Sequence, residues 1–181
     1  MTVDIRPYDP GLDTDSLYRC KLAFERGLGE STGGDDKAAA YEDKLTDAYR
    51  DAWLAWVDRC VDDDPRCVTV AVNNGTDADS NADADSDADA GVVGYVFVLP
   101  ERLAFVWDAA VINELYVAPA YRGTGVADDL VAAALSLAAD QELPLDRVVL
   151  DVDPANERAR AFYDRHGFES WGEIVSRPIG Q

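Results

Sequence analysis

The chain has one histidine, one methionine, three lysines and three cysteines among its 181 residues, and each scarcity narrows what it can be. Cys20, Cys60 and Cys67 make an odd count with no CxxC spacing and no neighbouring His, so the sequence offers no zinc site and no disulfide framework. They read as reduced core residues, and no metal is expected. Basic residues total 16 against 36 acidic ones, and no cluster of Lys or Arg occurs anywhere. A polyanion binder needs a basic stripe to release counterions, so nucleic acid is excluded as a partner. No apolar run reaches the roughly 18 residues of a membrane helix, and the opening Met-Thr-Val-Asp-Ile-Arg-Pro lacks the regions of a signal peptide. A soluble, cytoplasmic protein that binds no membrane is the expectation.

What is present is apolar side chain and carboxylate. Hydrophobic residues make up 48% of the chain, enough for a core that offsets the ordering entropy, and the length fits one domain over 1–181. The formal net charge is -20. Asp outnumbers Glu by 27 to 9 and Arg outnumbers Lys by 13 to 3, a bias that reads as salt adaptation. At molar ionic strength the Debye length falls to about 3 Å, so surface carboxylates stop repelling one another over distance. A protein of a salt-in halophile is therefore expected.

From Asn73 to Ala90 the chain reads NNGTDADSNADADSDADA, with no large apolar residue and no strand or helix period. It separates two β-branched runs, Cys67 to Val72 and Val92 to Leu99. The simplest reading is an antiparallel hairpin lengthened by a disordered acidic insertion at about 73–91, which loop-closure entropy tolerates. Upstream, Thr2 to Tyr8 predicts a strand, about 13–27 a first helix, and about 36–61 a second. The aromatic stripe of that second helix, Tyr49, Trp53 and Trp56 included, reads as core, or else as the wall of a substrate pocket. Downstream, Val111 to Val117 predicts a strand and about 123–139 a helix. Arg147 to Val152 follows as a strand, then a short helix from Asn156 closed by Gly167, and a last strand over Phe168 to Arg177. The expected class is α/β, a mixed and mostly antiparallel central sheet flanked by helices.

The segment Arg122-Gly123-Thr124-Gly125-Val126-Ala127 lies between a strand end and a helix start. Two glycines free the backbone N–H groups and the helix N-terminus adds positive charge, so the turn could cradle a pyrophosphate or be a plain tight turn. It lacks the Lys-Ser/Thr of a Walker loop. Asp128 breaks the dinucleotide fingerprint, which disfavours a nucleotide-dependent oxidoreductase.

Together, INELYVAPAYRGTGVADDLV and, about 30 residues on, NERARAFYDRHGF resemble the GNAT superfamily of acyl-CoA-dependent N-acetyltransferases. The resemblance covers about Val111 to Gly172. It implies acetyl-CoA as cosubstrate, with its pyrophosphate on the amides of Arg122, Gly123, Thr124, Gly125, Val126 and Ala127. Its pantetheine arm would pair with the backbone of Leu115, Tyr116 and Val117 like an added strand. Asn156 stands where relatives contact that arm, and a helix N-cap explains it equally well. Tyr163 holds the position of the general acid that protonates the leaving thiolate, the alternative being a core tyrosine. Glu114 is the candidate base, or else a structural carboxylate paired with an Arg. His166 falls at a helix end, where a cation suits the dipole.

The resemblance thus implies acetyl transfer to a primary amine by direct attack in a ternary complex, the amine belonging to a small molecule or to a protein or peptide. A degenerate acyl-CoA sensor or scaffold is the alternative. Monomer and homodimer both remain open.

Overall fold

A computed structural model describes residues 2–31, 34–75, 91–175, 177 and 179. The acidic insertion lies, from 76 to 90, outside the described residues. Five strands form one sheet in the order β1 (Val3–Pro7), β2 (Val68–Asn73), β3 (Gly91–Val98), β4 (Ala110–Val117) and β5 (Val148–Val149). The first four pair antiparallel, and β5 runs parallel to β4. This is a mixed α/β architecture with a mostly antiparallel sheet. The two β-branched runs that flank the insertion do pair with each other, as β2 and β3.

Helices cover both faces because the strands are apolar on both. On one side α1 (Thr14–Ser31) and α3 (Asp47–Asp63) bring Leu17, Trp53, Val57 and Cys60 against Val68, Val70, Tyr95 and Phe97. On the other, α4 (Val126–Asp140) lays Val126, Leu130, Ala134 and Leu137 on Val96, Val98, Ile112 and Val117. The strands β3 and β4 approach closely at Gly94, where a Cβ would stand 2.9 Å from the Tyr116 carbonyl oxygen. A side chain there would push the two strands apart.

Three expectations are corrected. The helix predicted over 36–61 is two helices, α2 (Gly34–Asp43) and α3, because the Thr46 hydroxyl accepts the Tyr49 N–H at 3.2 Å and restarts the helix as an N-cap. The strand predicted over Arg147 to Val152 shrinks to Val148–Val149, and with so short a ladder beside it the last predicted strand does not form among the described residues. Phe168 still packs against the α4 side of the sheet, while Trp171, Ile174 and Val175 are exposed. The first helix continues past Gly27 to Ser31, and α5 spans Glu157–Arg165. No helix among the described residues is long and apolar enough to cross a membrane.

Candidate acyl-donor and acceptor site

The site is prepared by an irregularity in β4. Val98 pairs with Ile112 and Phe97 with Glu114, which leaves Asn113 as an extra residue in the ladder. The bulge shifts the alternation, so Ile112, Leu115 and Val117 face α4 while Glu114 turns toward α1 and α3. On its other edge β4 pairs with β5 only through Ala110 and Val111. From Ile112 to Val117 that edge carries no strand partner among the described residues. On that edge the backbone of Leu115, Tyr116 and Val117 faces no strand, and the Val117 carbonyl is taken by Arg122 Nε.

The glycine turn follows at the end of this edge. Gly123 and Gly125 have φ of 78° and 95°, in the left-handed region, and a Cβ on either would meet nothing within 4 Å. Their requirement is conformational rather than steric. The Thr124 hydroxyl donates to the Tyr121 carbonyl at 2.7 Å, and Arg122 Nε donates to the Val117 carbonyl at 2.9 Å, tying the turn to the strand end. Gly125 is the N-cap of α4 and brings no side chain to its first N–H groups, so those of Val126 and Ala127 stay available to a ligand. Burial and the neighbouring charge of Arg158 both push the Arg122 guanidinium pKa down. Neither arginine has a carboxylate partner among the described residues. Asp128, which follows the turn, is held below the usual carboxylate range chiefly by its hydrogen bond to Arg165, and its Oδ1 also lies 2.9 Å from His166 Nε2.

The remaining candidates lie on α5 and β4. The Asn156 side chain accepts the Ala159 N–H at 3.1 Å and so N-caps α5. Tyr163 is half-buried against the rings of Phe162 and Phe168, and burial pushes its phenol up to about 12. His166 is the C-cap of α5, as its position in the sequence suggests.

Glu114 is only 6% exposed, and both of its oxygens are engaged. Oε1 accepts from Lys21 Nζ at 2.7 Å, Trp53 Nε1 at 3.3 Å and Asn113 Nδ2 at 3.2 Å, and Oε2 accepts the Tyr95 hydroxyl at 2.6 Å. Its cation is a lysine, where the sequence suggested an arginine. Lys21 Nζ also lies 2.5 Å from Glu25 Oε1, which takes the Tyr49 hydroxyl at 2.9 Å. Burial raises the Glu25 carboxyl, but the hydrogen bond and charge of Lys21, then Lys44 and Tyr49, outweigh it and hold the group below its ordinary value. Sequence reasoning missed Lys21 and Glu25. The available signal was an i,i+4 Lys–Glu pair on the apolar face of α1, in a chain with three lysines. Among the described residues no group of three or more His, Cys, Asp or Glu side chains is placed to hold a metal ion.

Residues 34–168 match the model of the family described as Acetyltransferase (GNAT) family. A mycothiol acetyltransferase of Salinispora tropica is 36% identical over 148 residues, 74% of this chain and 47% of that protein. An N-acetyltransferase of Mycobacterium tuberculosis, described as uncharacterized, is 41% identical over 66 residues, 36% of this chain and 41% of that one. The chain spans less than half the length of these curated relatives. Among solved structures, an N-acetyltransferase from Ralstonia eutropha superposes with a TM-score of 0.61 at 20% identity, covering 99% of this chain and 100% of that one. The NatC complex bound to Gag peptide and CoA does so with 0.57 at 19% identity, covering 95% and 87%. At such identities the likeness is one of fold.

Replacing Lys21 by Met leaves Glu25 and Glu114 buried without the ammonium between them. A loss of about 3–5 kcal/mol is expected, read as a lowered guanidinium midpoint, and an unchanged midpoint would contradict the network's role in stability.

Proposed function

The chain belongs to the GNAT acetyltransferase family, and from that membership we propose that it moves an acetyl group from acetyl-CoA to a primary amine by direct attack in a ternary complex. The observation that carries this reading is the juxtaposition of a β4 edge with a glycine turn that bears Arg122, with Arg158 of α5 acting on it, the edge without a strand partner and both arginines without a carboxylate partner among the described residues. In a chain of net charge -20, that is where an anionic, strand-like ligand fits. The pyrophosphate would lie on the amides of 122–127, with Arg122 and Arg158 as counter-charges. The pantetheine amides would pair with the backbone of Leu115, Tyr116 and Val117 and bring the thioester beside the bulge.

The amine nitrogen then attacks the thioester carbonyl, the C–N bond forms, and the C–S bond breaks as the tetrahedral intermediate collapses. Tyr163 is proposed to donate its phenol proton to the departing thiolate. Its raised pKa keeps it protonated over the whole working range. Glu114 accepts from four donors, the Lys21 ammonium among them, so both of its oxygens are already engaged. Of the two roles its sequence position allows, these contacts support the paired carboxylate, which fixes the floor of the amine site. Water is then the acceptor of the ammonium's proton. Asn156 is proposed to shape the pantetheine channel through its cap of α5.

We further read the excess of surface Asp as adaptation to a salt-rich cytoplasm. The melting temperature should then rise on the order of 10 °C from dilute buffer to molar KCl, and a melting curve indifferent to salt would count against it. For the reaction, Tyr163→Phe should lower kcat about 100-fold on an amine acceptor while leaving the acetyl-CoA affinity unchanged. In the wild type no descending limb should appear below about pH 11, because the phenol loses its proton only near 12. Full turnover by Tyr163→Phe would remove the tyrosine from the mechanism.

A further inference from the structure

Beyond Glu114 the buried network reaches a second carboxylate whose surroundings are those of an ammonium receptor. Glu25 is 3% exposed. Its Oε1 is satisfied by Lys21 and Tyr49, whereas Oε2 is fully shielded and has no aligned donor. The Lys44 ammonium stands 2.7 Å from Oε2, a contact of charge without hydrogen-bond geometry. The same ammonium lies over two aromatic rings, 4.2 Å from the centroid of Tyr41 and 5.5 Å from that of Tyr49. One carboxylate oxygen flanked by aromatic faces is a chemistry that holds alkylammonium groups.

The charges point the same way. Lys21, Glu25 and Glu114 are each at least nine-tenths buried and together carry a single negative charge. Such a set needs one more cation. Lys44 supplies it from the rim, with a side chain 37% exposed against 3% for Lys21. It sits in the break between α2 and α3, just before the Thr46 cap, where continuous helix does not anchor it. Of the four charged groups it is the one that can withdraw without dismantling the core.

We infer that Glu25, Tyr41 and Tyr49 form a receptor for an ammonium group of the acceptor, filled by the chain's own Lys44 when no acceptor is bound. The acceptor class is then a primary amine with a second ammonium on an alkyl chain, as in an α,ω-diamine or a lysine-like molecule. One ammonium binds at Glu25 while the other amine, deprotonated, reaches the thioester beside β4. Lys21 links the two places, since it touches both Glu25 and Glu114. The inference rests on the acetyl-transfer reading for the second amine, but the receptor itself is a binding site that can be measured without a donor.

The test is calorimetric titration of 1,4-diaminobutane and of n-butylamine into the full chain, wild type and Lys44→Met, in KCl, with acetyl-CoA titrated in the same samples. With its internal competitor removed, Lys44→Met should bind the diamine about tenfold more tightly than the wild type. Adding Glu25→Gln should abolish the gain. In turnover, the KM for the diamine should fall by a similar factor in Lys44→Met, and that for n-butylamine, which has only the reacting amine, should not. Should Lys44→Met fail to fold, Tyr41→Leu removes one wall of the receptor and keeps both ion pairs. It should raise the KM for the diamine and spare that for n-butylamine. Equal diamine affinity in folded wild type and Lys44→Met, or equal diamine KM in wild type and Tyr41→Leu, overturns the receptor. If acetyl-CoA binds and transfers while the diamine gain is absent, the receptor alone fails. If acetyl-CoA does not bind, the acetyl-transfer reading fails, and the donor-free diamine titration still decides the receptor.

Discussion

An ammonium group held between two buried carboxylates lies at the centre of a network that binds four elements of the chain to one another. Lys21 of α1 reaches Glu114 of β4 at 2.7 Å and Glu25, one turn along its own helix, at 2.5 Å, while Trp53 of α3 and Tyr95 of β3 complete the shell of Glu114. Removing Lys21 would leave two buried carboxylates without the ammonium they share. The network therefore fixes where α1 and α3 sit on the sheet, and with them the floor of the space beside the β4 bulge. The opposite arrangement holds a few residues on, where the edge of β4 has no strand partner and Arg122 of the turn that follows has no carboxylate partner among the described residues.

This contrast gives the acidic composition a functional meaning. Six of the described arginines are tied to carboxylates: Arg6 to Asp13, Arg26 to Glu42, Arg50 to Asp15, Arg66 to Asp64 and Asp140, Arg102 to Asp63 and Arg165 to Asp128. Exposed pairs of this kind add little stability singly. Arg122, in the turn before the uncapped start of α4, and Arg158 of α5, whose charge acts on it, are among the cations left without a carboxylate partner among the described residues. Two like charges beside a helix N-terminus repel one another, and a phosphate-bearing ligand relieves that repulsion. Pairing elsewhere would sharpen the proposed anion site by contrast, even where salt screens the long-range field.

How far the sequence alone discloses this depends on the range of the interactions involved. The hairpin of β2 and β3, the strand β4, the turn at 122–127 and the helix α4 follow from local periodicity and glycine placement, which act within a few residues. The cap at Asn156 and the helix end at Gly167, with φ of 80°, are legible for the same reason. The split of the second helix was written in Thr46, but its apolar period continues across the break and hid it. The last strand could not be judged locally, because a strand needs a partner and β5 offers only Val148 and Val149. Glu114 was visible as a carboxylate on a strand. Its partners come from 93, 61 and 19 residues away along the chain, so only the fold could bring Lys21, Trp53 and Tyr95 together around it.

The central claim is that the open β4 edge and the glycine turn hold a CoA thioester. The most direct measurement is calorimetric titration of acetyl-CoA in molar KCl into the wild type and into Gly125→Asp, which places a carboxylate and a strained left-handed residue at the head of α4. The account predicts one site per chain in the wild type and binding weakened at least about 100-fold in the variant. Equal binding by the two, or no binding by the wild type, would contradict it.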